Sequence, residues 1–225
     1  MKTSNKILLG GLIVLLLGIT AVLVGTKVQY EKHVADQKQK VTTQTRKMEH
    51  FDCIHAKGNI SIEWTQENEQ KIVVKADTSD IDKIRTNVRN GCLNISAYDI
   101  AGREPTIEIF VRNLKKITLA ERCEFDTKSK VSLEKLKLTM HSNSEANLHG
   151  EAKSAEIRCS SNSELDAEGF KLKNCNLEAT DNAEVEVNVT GRLNVVAKSN
   201  SNVEYSGNPK TVNIDTDKDS DVEKD

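Results

Sequence analysis

From Leu114 to the C-terminus, apolar and polar residues alternate closely enough to be counted from a fixed mark. The mark is Ser142-Asn143-Ser144-Glu145, which returns letter for letter as Ser161-Asn162-Ser163-Glu164. Asp181-Asn182-Ala183-Glu184 and Ser199-Asn200-Ser201-Asn202 are variants, and Lys218-Asp219-Ser220-Asp221 is a worn copy. The central residue advances in steps of 19, 20, 18 and 19. A fixed period of this size signals stacked structural repeats. Five residues before the mark stand Leu138, Ile157, Leu177, Val195 and Ile214, and three after it Ala146, Leu165, Val185, Val203 and Val222. Odd offsets are mostly apolar and even offsets mostly polar. Successive side chains of a strand point to opposite faces, so the odd set predicts a buried face and the even set a solvent face.

A strand running straight through the mark would be ~50 Å long, far beyond ordinary strand length. The chain must therefore bend, and the Ser-Asn-Ser group is the predicted corner, because Asn tolerates left-handed backbone and Ser and Asn bond nearby main chain. Its small residues are expected to face inward. Gly150, Gly169, Gly191 and Gly207 mark a second corner. Strand, Asn corner, strand, Gly corner, stacked in parallel, is an all-β, right-handed parallel β-helix, the winding sense following from the chirality of parallel crossovers. An earlier turn fits around Arg122, giving about six turns from Leu114 onward. Stacking places Asn143, Asn162, Asn182 and Asn200 in one row, where an amide ladder is expected. The charged end DTDKDSDVEKD is expected to fray and to blunt the last edge.

Upstream, GNISIEW (58–64), KIVVKAD (71–77), GCLNISA (91–97) and TIEIFV (106–111) read as further strands, each bounded by turn residues. Residues 80–88 read as a short helical turn or an irregular connection. Residues 26–50 are polar, lack Pro and sustain no heptad, which predicts a partly helical spacer. Residues 7–25 form a nineteen-residue uncharged apolar run. As a helix it spans ~28 Å, enough for a bilayer core. It is longer than the apolar core of a cleaved leader, and Ile19 and Leu23 stand where a cleavage site wants small residues. The expected organisation is a membrane anchor over 1–25, a spacer over 26–50, a β-helix over 51–222 and an acidic tail over 223–225. A β-rich domain behind such an anchor is expected to be exported, to the periplasm or the cell surface.

Composition narrows the function. Lys+Arg number 32 against Asp+Glu 34, a net charge of -2, which leaves no footprint for nucleic acid. Aromatic residues make up only 4%, as suits a thin solenoid core. The five cysteines match no zinc or redox spacing and read as buried small residues; a Cys53–Cys92 bridge stays open, since spacing does not decide it. Cys53 and His55 would share a strand face, but no full ligand set is visible. Stacked acids at Glu145, Glu164 and Glu184, and at Asp166 and Glu186, are candidate oxygen ligands for calcium, because like charges at rung spacing repel and a hard cation relieves them. The competing reading is a solvated face screened by salt. There is no phosphate loop, nucleophile elbow or His-Glu-x-x-His. No cofactor is expected.

The segments FDCIHAKGNISIEW (51–64), KIVVKAD (71–77), IDKIRTNV (81–88) with GCLNI (91–95), TIEIFVRNLKKITL (106–119) and the serial Ser-Asn-Ser units together resemble the Bacteroidetes-type head GIN domain family of putative auto-transporter adhesins. The resemblance implies a cell-envelope β-helix and carries over no catalytic residue. Many members start with a lipoprotein-type signal, from which this chain departs. The expected function is a membrane-anchored, non-catalytic binding module, an adhesin for a glycan or protein, touching the membrane through residues 7–25. An envelope scaffold, or a polysaccharide-processing β-helix enzyme, are the alternatives.

Overall fold

The computed structural model describes residues 26–27 and 40–225. The expected membrane helix at 7–25 lies outside these residues, as does most of the expected spacer. Among the described residues no helix is long and apolar enough to cross a membrane. Residues 41–225 form one compact unit made of β-strands with a single 3-10 turn, Ile81–Lys83. The strands are β1 Val41–Arg46, β2 Cys53–Gly58, β3 Ile60–Thr65, β4 Lys71–Asp77, β5 Ile84–Arg89, β6 Cys92–Ala97, β7 Thr106–Phe110, β8 Lys116–Ala120 and β9 Cys123–Thr127. They continue as β10 Val131–Met140, β11 Glu145–Asn147, β12 Gly150–Ser160, β13 Glu164–Thr180, β14 Glu184–Lys198, β15 Asn202–Ser206, β16 Thr211–Thr216 and β17 Asp221–Lys224.

The regular part is a parallel β-solenoid. Strand β8 pairs with β10, β10 with β12, β12 with the second half of β13, that with the second half of β14, and β14 with β16. On the other side of the corner β9, β11, β13, β14, β15 and β17 stack in the same order. Register is kept rung by rung, so Leu138, Ile157, Leu177 and Val195 form one apolar column. All four are nearly or fully buried. That column is the minus-five row of the sequence, and its burial is what fixes the register, because a one-residue slip would turn every side chain over.

The corners carry the repeat. At Glu121–Arg122, Ser142–Asn143, Ser161–Asn162, Asp181–Asn182 and Ser199–Asn200 both residues have left-handed φ, between 55° and 67°. Each corner is tied to its neighbours through main chain: Asn143, Asn162 and Asn182 donate their N–H to the carbonyls of Ser161, Asp181 and Ser199, all at 3.0 Å. Only the residue after the Asn faces inward. Ser144, Ser163, Ala183 and Ser201 are at most 2% exposed, whereas Ser142 and Ser161 are half-buried and Asp181 and Ser199 exposed. The expectation that both flanking serines point inward is thus corrected, since two consecutive left-handed residues reverse the chain before the next side chain enters the core. The sixth copy bends at Lys218–Asp219 without left-handed residues. Its strand β17 nevertheless pairs with β15, so the ladder includes most of the tail placed at 223–225.

The buried corner hydroxyls differ in their bonding. Ser201 Oγ donates to the Ala179 carbonyl at 2.9 Å, while Ser144 Oγ finds no hydrogen-bond partner. A buried hydroxyl without a partner costs stability, and Ala183 shows that alanine fits the same corner. Ser144→Ala is therefore expected to raise unfolding free energy by about 1 kcal/mol, read from urea denaturation; an equal loss would mean that the hydroxyl is bonded.

The N-terminal half does not stack in chain order. Strands β2 and β3 form a rung that lies between β6–β7 on one side and β8–β9 on the other. Strands β5 and β4 close the outer edge by antiparallel pairing with β6 and β7, and β1 adds antiparallel to β4. Among the described residues the compact unit therefore includes β1, upstream of residue 51. Strand β1 is held by pairing and by Arg46, whose guanidinium donates to the carbonyls of Ile84 at 2.7 Å and Ile81 at 3.1 Å. Residues 80–88 resolve into the 3-10 turn followed by β5.

Cys53 and Cys92 are register partners on adjacent parallel strands and form a disulfide across 39 residues. Opening a loop of that length gives the unfolded chain more freedom, and removing the bridge by Cys53→Ala/Cys92→Ala is expected to cost about 3 kcal/mol. The variant's loss should match the loss on adding reductant to the parent; a parent indifferent to reductant would contradict it. Cys123, Cys159 and Cys175 are buried free thiols, each pushed up to about 12 chiefly by burial.

Candidate functional site

With the core enclosed, the outward rows are what the domain presents. The two strand faces meeting at the Asn corner carry different charge patterns. On the β10–β12–β13–β14–β16 face, opposite charges meet: Lys137 Nζ lies 2.8 Å from Glu156, Arg158 lies 2.7 Å from Glu156 and 3.1 Å from Glu178, and Lys198 lies 2.6 Å from Asp215. Beside them Asn213 Nδ2 donates to Asn194 Oδ1 at 2.8 Å, and Asn194 Nδ2 to Asn176 Oδ1 at 2.7 Å. This amide ladder was not expected. Its signal is the row six residues before the central Asn, where Asn176, Asn194 and Asn213 stand in three consecutive copies.

The expected ladder row sits at the exposed corners. Asn200 Nδ2 donates to Asn182 Oδ1 at 2.8 Å, and Asn143 and Asn162 stack through main-chain bonds. The left-handed backbone is the more general role of these residues, since it recurs at every corner from Glu121–Arg122 to Ser199–Asn200.

The face beyond the corner is acidic. Glu124, Glu145, Glu164 and Glu184 stand in one register column, and Asp166, Glu186, Glu204 and Glu223 in the next. The structure thus aligns the candidate residues Glu145, Glu164 and Glu184, and sets Asp166 beside Glu186. Lys128 neutralises the N-terminal end, 2.8 Å from Glu63 and 3.6 Å from Asp126. Among the described residues none of Glu145, Glu164, Asp166, Glu184, Glu186 or Glu204 forms an ion pair. The Glu145 carboxyl is raised above the usual range by burial first and by Glu164, Glu124 and Asp126 after it; Glu186 is raised by burial, then by Asp166 and Glu204.

A carboxyl whose folded pKa is raised favours the protonated folded state. Its stabilising contribution is full below the ordinary glutamate value, ~4.3, and is lost as pH rises through the raised value. Glu145→Gln/Glu186→Gln is therefore expected to melt higher than the parent at pH 7 and level with it at pH 4, the gain shrinking in high salt. A variant that melts lower than the parent at pH 7 would refute the repulsion.

Cys53, His55 and Cys92 bring possible ligand atoms within 4.8 Å of one another, but the disulfide occupies both sulfurs. His55 is held below the ordinary histidine value by burial and then by Lys116, which suits a neutral ring in a structural position.

Residues 50–209 match the family described as "Putative auto-transporter adhesin, head GIN domain". The chain belongs to that family. The head GIN domain is also similar to solved structures. A putative adhesin from Bacteroides fragilis NCTC 9343 aligns over 84% of this chain and 98% of its own, with TM-score 0.68 and 14% identity. A putative adhesin from Parabacteroides distasonis ATCC 8503 aligns over the same shares, with TM-score 0.54 and 15% identity. A protein of the latter strain described as a putative lipid binding protein also covers 84% and 98%, with TM-score 0.50 and 15% identity. At these identities the likeness carries the fold. No curated protein matches the chain.

Proposed function

We propose that this head GIN domain is a non-catalytic binding module of the cell envelope, wound right-handed and held to a membrane by a helix over residues 7–25. Its ligand is a glycan or a protein. The observation that carries the reading is the outer surface of the solenoid. Side chains on it repeat at one strand spacing, ~4.8 Å, on a scaffold whose strands pair rung to rung, which suits a partner that is itself extended or repetitive. The family description and the Cys53–Cys92 disulfide support export, because disulfides persist in oxidising compartments. Protease shaving of intact cells and of spheroplasts tests it. Digestion of the domain in either preparation is expected, and protection in both would end the export reading. The cation reading of the acidic rows has its own test, calcium titration calorimetry of the full chain, where the absence of heat ends it.

A further inference from the structure

The second corner, where the strands bend without breaking, leaves a groove of about 590 Å³ running from Ser132 to Thr211 across successive rungs. Five cations line it: Lys153, Lys171, Lys173, Arg192 and Lys210. Two carboxylates accompany them, and both have partners. Glu134 lies 2.8 Å from Lys153 Nζ, and Glu151 accepts from Ser132 Oγ at 3.3 Å. Lys171, Lys173, Arg192 and Lys210 form no ion pair among the described residues, and all four are exposed. The chain as a whole carries a net charge of -2, so this concentration does not follow from a basic composition.

The placement is built by the repeat. Arg192 is the register partner of Asn174 in the rung before it and of Thr211 in the rung after it. Asn174 Oδ1 accepts the Arg192 main-chain N–H at 3.2 Å, and Thr190 Oγ1 donates to the Leu172 carbonyl at 3.2 Å. The floor is thus lined by hydroxyl and amide groups. No aromatic ring lines it. That disfavours single-stranded nucleic acid, whose binding grooves use rings for bases to stack on. Lys171 has Glu151 and Asn188 as register partners and Arg192 has Asn174 and Thr211, so the cations are staggered over neighbouring rungs and not stacked on one another. A partner bearing several negative charges along its length meets them together. One rung, ~4.8 Å, is comparable with the length of a sugar ring in an extended chain.

We infer that the Lys171–Arg192 groove binds an acidic polysaccharide, carboxylated or sulfated, laid along the solenoid axis. This rests on the binding reading above and names its ligand class and its site. The cations meet the anionic groups, and the threonine and asparagine side chains of the floor meet sugar hydroxyls.

The test is fluorescence anisotropy with the full chain in detergent micelles. The labelled probes are polygalacturonate, heparin, neutral dextran and double-stranded DNA. Binding of at least one acidic polysaccharide, with none to dextran, is expected. It should weaken about tenfold or more in Lys171→Glu/Arg192→Glu, and also as salt rises from about 50 to about 200 mM. Lys57→Glu/Lys218→Glu, with the same charge change elsewhere, should stay within about twofold. Circular dichroism confirms that each variant is folded. Unchanged affinity in the groove variant, equal affinity for DNA, or no binding of either acidic polysaccharide would overturn the proposal. Binding of dextran alone would overturn the groove and leave the binding function standing. Domain protection in both shaving experiments would remove the envelope reading and leave groove binding in micelles intact.

Discussion

Trp64→Ala is expected to lower unfolding free energy by about 4 kcal/mol, in the range measured for large aromatic truncations in cores. Trp64 is the only tryptophan and is 1% exposed. It sits in register between Ile109 on β7 and Thr127 on β9, so its rung is covered on both sides. Its ring lies 6.4 Å from that of Phe125, tilted by 48°, and its Nε1 donates to the Val111 carbonyl at 3.1 Å. Phe125 belongs to the first regular rung, so this pair joins the N-terminal cap to the repeats. Truncation removes the ring contact and the bond and leaves a cavity that two neighbouring rungs cannot both close. In a stack held by nearest-neighbour contacts, weakening one junction lets the parts separate. The variant is therefore expected to unfold in two steps by circular dichroism where the parent unfolds in one. A single transition shifted by under about 1 kcal/mol would show that the junction is not held there.

Gly150→Ala is expected to cost a similar amount, about 4 kcal/mol, for a backbone reason. Gly150 has φ +134°, and a Cβ built there would stand 2.0 Å from the Val131 carbonyl oxygen and 2.5 Å from its nitrogen. These atoms belong to the register partner in the neighbouring rung, so relief requires moving a strand rather than turning a side chain. Gly91 is the control. Its φ is +72°, and a Cβ there meets nothing within 4 Å. Gly91→Ala should lose only the strain of a left-handed residue, about 1 kcal/mol. Equal losses at the two sites in urea denaturation would mean that conformation, and not close approach between rungs, sets the requirement at Gly150.

The regular stack was legible because a strand's side-chain period is two and each rung repeats the last. Leu138, Ile157, Leu177 and Val195 could be aligned by counting alone, and the corners announced themselves by Asn. Strand β1 was not legible. Its sequence, VTTQTR, is β-branched but lacks an apolar alternation, and it is held by edge pairing and Arg46 instead of by a buried face. The position of β2 and β3 inside the stack was equally hidden. A parallel strand buried on one face reads the same whichever neighbours it has, so nothing in GNISIEW says that TIEIF and CEFDT will flank it. The groove cations escaped for a different reason. Lys171, Lys173 and Arg192 lie in the part of the repeat whose length varies between copies, where counting from the Asn loses register. The acidic columns, Glu204 included, were legible as rows, and the structure adds Glu124 to one and Glu223 to the other.

The rung formed by β2 and β3 is made early and enclosed late. Residues 53–65 leave the ribosome before the strands that flank them on either side, and their second neighbour is finished only at Thr127. The later repeats can add one upon another, each closing a loop of about one period, but this rung must wait for two distant partners, which makes its closure the slow topological step. Cys53 carries the same delay, holding a free thiol until Cys92 arrives 39 residues later. Thiol trapping during refolding is expected to find the repeats structured by circular dichroism before the Cys53–Cys92 bond forms. A bond that forms ahead of the repeats would reverse that order of assembly.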